Sequence, residues 1–197
     1  MHRLIAGCFN ELFARSEHCV LVGGASEPFY LAARAPHRSV LRYREDFAAS
    51  ALHEAAHWCI AGRARRAQHD FGYWYAPPPR SPSAQARFLE VEANAQALER
   101  RFSRAAGIDF EPSLDDVEGL TRGAIESFAQ RIELAHQRWC EKGLPDRASA
   151  FERSLKALYP LRALDPLKAL DPLKALPAEG SLPAEGSLPA EGSDGAR

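Results

Sequence analysis

A chain of 197 residues with 46% apolar side chains is long enough to bury one core and short for two. Its 25 basic and 26 acidic residues leave a formal charge of −1, which excludes a global electrostatic pull toward nucleic acid or an anionic membrane. Four cysteines, Cys8, Cys19, Cys59 and Cys140, stand far apart without a CxxC pair, which argues against a zinc ribbon or a small secreted disulfide framework and points to a reducing cytoplasm.

The first predicted element is an amphipathic helix over residues 2–15, where Leu4, Ile5, Cys8, Phe9, Leu12 and Phe13 recur at helical spacing. Asn10 and Glu11 interrupt any signal-peptide core, and no later run approaches the roughly 20 apolar residues of a membrane span. Cys19-Val20-Leu21-Val22 reads as a short strand stopped by Gly23-Gly24, and residues 39–44 alternate like a strand with one exposed face. Helical periodicity then runs from Ala48 to Ile60, with Gly62 as the stop. Residues 63–83 hold a basic cluster, an aromatic cluster and Pro77-Pro78-Pro79, so this segment is expected to be largely non-helical. Further helices are predicted over residues 85–106, 121–142 and 147–159, with Trp139 and Cys140 as core positions.

From Leu164 the chain repeats with a period of six, first Leu-Asp-Pro-Leu-Lys-Ala and then Pro-Ala-Glu-Gly-Ser-Leu. Proline in every repeat opposes both a continuous helix and a hexapeptide β-helix, and the Gly, Ser and Glu content buries too little surface to offset chain entropy. The expected organisation is one compact α+β domain over 1–160, mostly helical with a small sheet, followed by a disordered tail over 161–197.

Chemistry concentrates in His53-Glu54-Ala55-Ala56-His57. Histidines four apart on a helix project from adjacent turns of one face, so both imidazoles can reach one metal ion, as in the HExxH helix of zincins. Glu54 stands where hydrolytic zinc enzymes keep their general base. The helix after Gln85 offers a third ligand. At about 100° per residue, Phe88, Val91, Ala95, Leu98 and Phe102 form its apolar face, Glu92 and Glu99 lie at the edge of that face, and Glu90 points away. Ala93, Ala95 and Ala97 follow Glu92 and would allow close helix approach, which favours Glu92, with Glu99 as the substitute. Two His and one carboxylate suit a hydrolytic zinc site and the facial triad of non-haem Fe(II) oxygenases alike.

The stretch from His53 through Gly62, then Arg65-Arg66 and Asp70-Phe71-Gly72-Tyr73-Trp74-Tyr75, is similar to the elongation factor P hydroxylase family, with weaker similarity over roughly 5–158. The resemblance implies a cytoplasmic monooxygenase acting on the modified lysine of bacterial elongation factor P. It further implies a divalent metal, Fe(II) at work with zinc a candidate in purified samples, held by His53, His57 and Glu92, and O2 as co-substrate. Glu54 is implied either to support the ligands from behind or to handle protons. Tyr73, Trp74 and Tyr75 are expected to wall the substrate site, Arg65 and Arg66 to dock the protein substrate, and Asp70 to hydrogen-bond a ligand imidazole. Pro77-Pro78-Pro79-Arg80 departs from the family's usual Pro-Asp-Gly-Arg turn. A monomer with no nucleic-acid partner is expected. The rival readings are a zinc metallopeptidase with the same ligands and a non-catalytic adaptor using the arginine and aromatic loop.

Overall fold

A computed structural model describes residues 1–72, 80–114 and 121–164. Helix α1 (His2–Phe13) leads into strand β1 (Cys19–Ala25), a short strand β2 (Phe29–Leu31) and strand β3 (Ser39–Arg44). The helices α2 (Ala48–Ile60), α3 (Arg63–Arg66), α4 (Pro82–Ala106), α5 (Arg122–Lys142) and α6 (Asp146–Leu164) follow, with a 3-10 turn at His69–Gly72 after α3. The result is the expected α+β domain, mainly helical around a three-stranded sheet. Among the described residues, no helix is long and apolar enough to cross a membrane.

The sheet order is β1-β3-β2, with β3 parallel to β1 and antiparallel to β2. β1 continues past the predicted stop at Gly23, because that glycine is where the ring of Tyr43 crosses the strand. A Cβ there would lie 2.6 Å from Tyr43 Cζ, so only glycine allows the approach. Strand β2 escaped the pattern reading because its three residues are too few to show alternation.

Apolar side chains of α1, the sheet, α2, α4 and α6 merge into one core. At its centre, the rings of Phe9 and Phe13 lie 4.9 and 4.8 Å from that of Trp58, and Phe151 stands edge-on to both Phe9 and Phe102. Trp58 thus fixes the face of α2 opposite the histidines. The C-terminal end of α2 is fixed separately: Arg147 Nη2 donates to the carbonyls of Trp58, Cys59 and Ala61 at 3.4, 3.1 and 2.7 Å. The same guanidinium lies 4.8 Å from the centre of the Trp58 ring, so a cation satisfies carbonyls that the helix leaves open.

Helix α4 starts at Pro82, three residues before its predicted start, because Ser81 caps it by accepting from Ala84 N–H and Pro82 fits the first turn. Ala93, Ala95 and Ala97 are buried, which brings the α4 axis close to its neighbours as their small side chains suggest. A second cluster, with Phe128, Ile132 and Ala135, joins α5 to α4. Two core assignments need correction: Trp139 continues the stripe of Phe128, Ile132 and Ala135 and packs against it but is only partly buried, and Cys140, about 100° around the helix from Trp139, is exposed. Residues 63–83 contain the short helix α3, and α6 runs on past Pro160 to Leu164.

Candidate metal centre

The last two turns of α2 carry His53 and His57, whose Nε2 atoms lie 3.1 Å apart. Across from them, α4 presents Glu92, with Oε1 3.3 Å from His57 Nε2 and Oε2 3.5 Å from His53 Nε2. Three donor side chains from two helices therefore converge on one point.

The spacing can be tested against coordination chemistry. Ligand atoms each about 2.1 Å from an ion stand about 3.4 Å apart at a tetrahedral angle and about 3.0 Å apart at a right angle. The two imidazole nitrogens stand 3.1 Å apart, and they lie 3.3 and 3.5 Å from the two different oxygens of the Glu92 carboxylate, separations in and around that interval, so the donor set fits a zinc-sized or iron-sized divalent ion. A triangle of donors occupies one face of such an ion and leaves the opposite face for substrate.

Glu99 takes a different position from the one expected of a substitute ligand. Its Oε2 lies 2.8 Å from His53 Nδ1, on the far side of the imidazole from the donor triangle. Seven residues are almost two full turns, so Glu92 and Glu99 share one face of α4 about 10.5 Å apart along the axis and reach opposite edges of the same ring. With the proton on Nδ1 donated to Glu99, the lone pair of Nε2 points at the triangle.

Electrostatics follow from this crowding. Burial works against a charged His53, but its hydrogen bonds to Glu92 and Glu99 outweigh burial and hold the imidazole pKa well above its usual value in the metal-free protein. Burial likewise works against the Glu92 carboxylate, yet His57 and His53 together keep it far below the ordinary carboxylate range. Glu54 is raised from its usual value by burial, with His53 and His57 pulling it partly back. Its carboxyl thus sits close enough to feel the centre electrostatically while forming no hydrogen bond to another described residue.

The other expected site residues separate. Asp70 accepts the Tyr30 N–H at 2.8 Å, so it anchors β2, and the carboxylate that hydrogen-bonds His53 is Glu99. Its neighbour Phe71 stacks on Tyr30 with ring centres 4.3 Å apart, and both Asp70 and Phe71 adopt left-handed backbone angles to turn these side chains inward. Arg66 also turns inward: its Nη1 donates to Ala61 O at 2.9 Å, its Nη2 pairs with Glu17 at 3.2 Å, and its guanidinium lies 5.5 Å from the Trp58 ring. Its donors thus serve the end of α2 and Glu17. Arg65 is exposed and donates to Phe71 O at 3.2 Å. Tyr73, Trp74 and Tyr75 lie outside the described residues.

A groove of about 440 Å3 between α4 and α5 carries Glu90, Arg131, Arg138 and Glu141 and none of the three donors. The profile of elongation factor P hydroxylase matches residues 8–168. A curated relative, the elongation factor P lysine hydroxylase of Haemophilus influenzae, is 40% identical over 162 residues, covering 80% of this chain and 90% of its own.

Proposed function

The chain belongs to the elongation factor P hydroxylase family, and from that premise we propose that it hydroxylates the modified lysine of bacterial elongation factor P as a metal-dependent monooxygenase. The observation that supports the metal dependence is the convergence of His53, His57 and Glu92, whose ligand atoms all lie within 4.8 Å of one another. Bound Fe(II) would supply the O2 activation that no amino-acid side chain provides. One oxygen atom enters a C–H bond of the lysine, and the other leaves as water with two protons and two electrons from an external reductant.

The chain's own groups hold and orient. His53 and His57 supply neutral nitrogen donors, Glu92 adds one negative charge, and Glu99 keeps His53 in the tautomer that frees Nε2. Glu54, whose pKa burial raises from its usual value, is the group we assign to hold or deliver a proton at the centre. Arg65 lies exposed just beyond α2, in position to meet an acidic face of the protein substrate. Tyr73, Trp74 and Tyr75 remain the proposed aromatic wall. The tail over 161–197 takes no part in the chemistry, and the enzyme works as a cytoplasmic monomer.

The test is to incubate the full chain aerobically with Fe(II), a reductant and modified elongation factor P, and to weigh the lysine-bearing peptide. A 16 Da gain that vanishes in His53→Ala and His57→Ala supports the proposal. Cleavage of the peptide instead would identify a zinc peptidase built on the same ligands with Glu54 as its base. An unchanged protein substrate with metal bound would remove the hydroxylase reading.

A further inference from the structure

Beside the donor triangle lies a second cavity of about 290 Å3, bounded by His57, Ile60, Val91, Asn94 and Trp139. Helical spacing explains why it adjoins the centre. Ile60 stands one turn after His57 on the same face of α2, while Val91 and Asn94 flank Glu92 on α4. Trp139 closes the cavity from α5, its Nε1 donating to Asn94 O at 3.3 Å.

The chemistry of the walls selects an occupant. Ile60, Val91 and the indole ring offer apolar surface, and neither arginine nor lysine lines the cavity among the described residues. The indole N–H is already given to a backbone carbonyl, so Trp139 can offer the cavity its π-face. Asn94 Nδ2 donates to Glu90 O at 2.8 Å, which fixes the amide orientation and leaves Oδ1 as an acceptor. A π-face and an amide oxygen both favour a cation, whereas a carboxylate would meet no cationic side chain there. The volume lies at the low end of the roughly 300–1,000 Å3 of small-molecule pockets, in keeping with one side chain inserted from outside.

We propose that this cavity seats the substrate side chain, an alkyl chain with a cationic end, with its methylenes against Ile60 and Val91 and its cation held by the Trp139 ring and Asn94 Oδ1. The inference rests on the hydroxylase reading of the adjoining centre and deepens it by assigning the residues that choose the substrate. Seated there, the chain lies against His57, the one donor residue that borders the cavity.

The probes are three molecules with a six-carbon chain, trimethylhexylammonium, hexanol and hexanoate, titrated into the zinc-loaded full chain; the quaternary ammonium cannot itself bind the metal. The ammonium probe is expected to bind about tenfold more tightly than hexanol, with hexanoate weakest. Trp139→Leu, which keeps an apolar side chain and removes the π-face, should lower ammonium affinity about tenfold and hexanol affinity less than about twofold, with zinc still bound. Trp139→Phe should recover most of the loss. Equal binding of all three probes, preference for hexanoate, no binding, or equal losses in the Leu and Phe variants would each overturn the proposal. Hydroxylation of elongation factor P is measured in parallel. Hydroxylation without ammonium preference removes the cavity assignment alone, whereas ammonium preference without hydroxylation removes the enzymatic reading alone.

Discussion

Removing the Glu99 carboxylate is the most informative perturbation of the centre. In Glu99→Ala, His53 loses the acceptor that lies 2.8 Å from its Nδ1 in a largely buried site, and the ring becomes free to rotate or to exchange tautomers. A hydrogen-bond partner behind a ligand histidine is commonly worth about 10- to 100-fold in metal affinity, which corresponds to about 1.4–2.7 kcal/mol. The expected outcome is a Kd raised within that range, a smaller rise in Glu99→Gln, whose amide oxygen can still accept, and a much larger rise in Glu92→Ala, which loses a donor outright. Competition against a chromophoric chelator measures the affinities, and circular dichroism checks that each variant keeps its helices. Wild-type affinity in Glu99→Ala would refute the orienting role. Equal losses in Glu99→Ala and Glu92→Ala would show that both carboxylates reach the metal.

Two further outcomes test the frame around the site. Arg147→Met should lower unfolding stability by about 2–3 kcal/mol, because three carbonyls at the end of α2 lose a charged donor, and Arg147→Lys should not restore it, since an ammonium lacks the planar fork that also lies over Trp58. An unchanged urea midpoint would contradict that role. Among the thiols, only exposed Cys140 should react quickly with iodoacetamide in the native protein at pH 8, because burial pushes Cys19 up to about 12 and raises Cys59 further still. Mass spectrometry should then count one label before unfolding and four after; rapid labelling of Cys59 would mean that α2 opens readily.

Much of this was legible in the chain alone, wherever the physics is local. The spacing of His53 and His57 determines a shared face on any helix, and the 3.6-residue period placed Glu92 and Glu99 on the inward edge of α4 and Glu90 outside it. The strands β1 and β3 and all the long helices were likewise readable from periodicity, with errors mainly at their ends. What periodicity could not do was rank Glu92 against Glu99, since two turns of helix leave them on one face. Only the packing of α4 across α2 decided that Glu92 enters the donor triangle while Glu99 backs His53, because this depends on how the two helices are offset along their axes. The same holds for Arg66 and Trp139. Charge suggested a surface for the first and an apolar ring suggested the core for the second, but each was placed by partners far away in the chain: Glu17 and Trp58 for Arg66, Asn94 for Trp139. A sequence states which groups share a face of one element, and the docking of elements determines what each face meets.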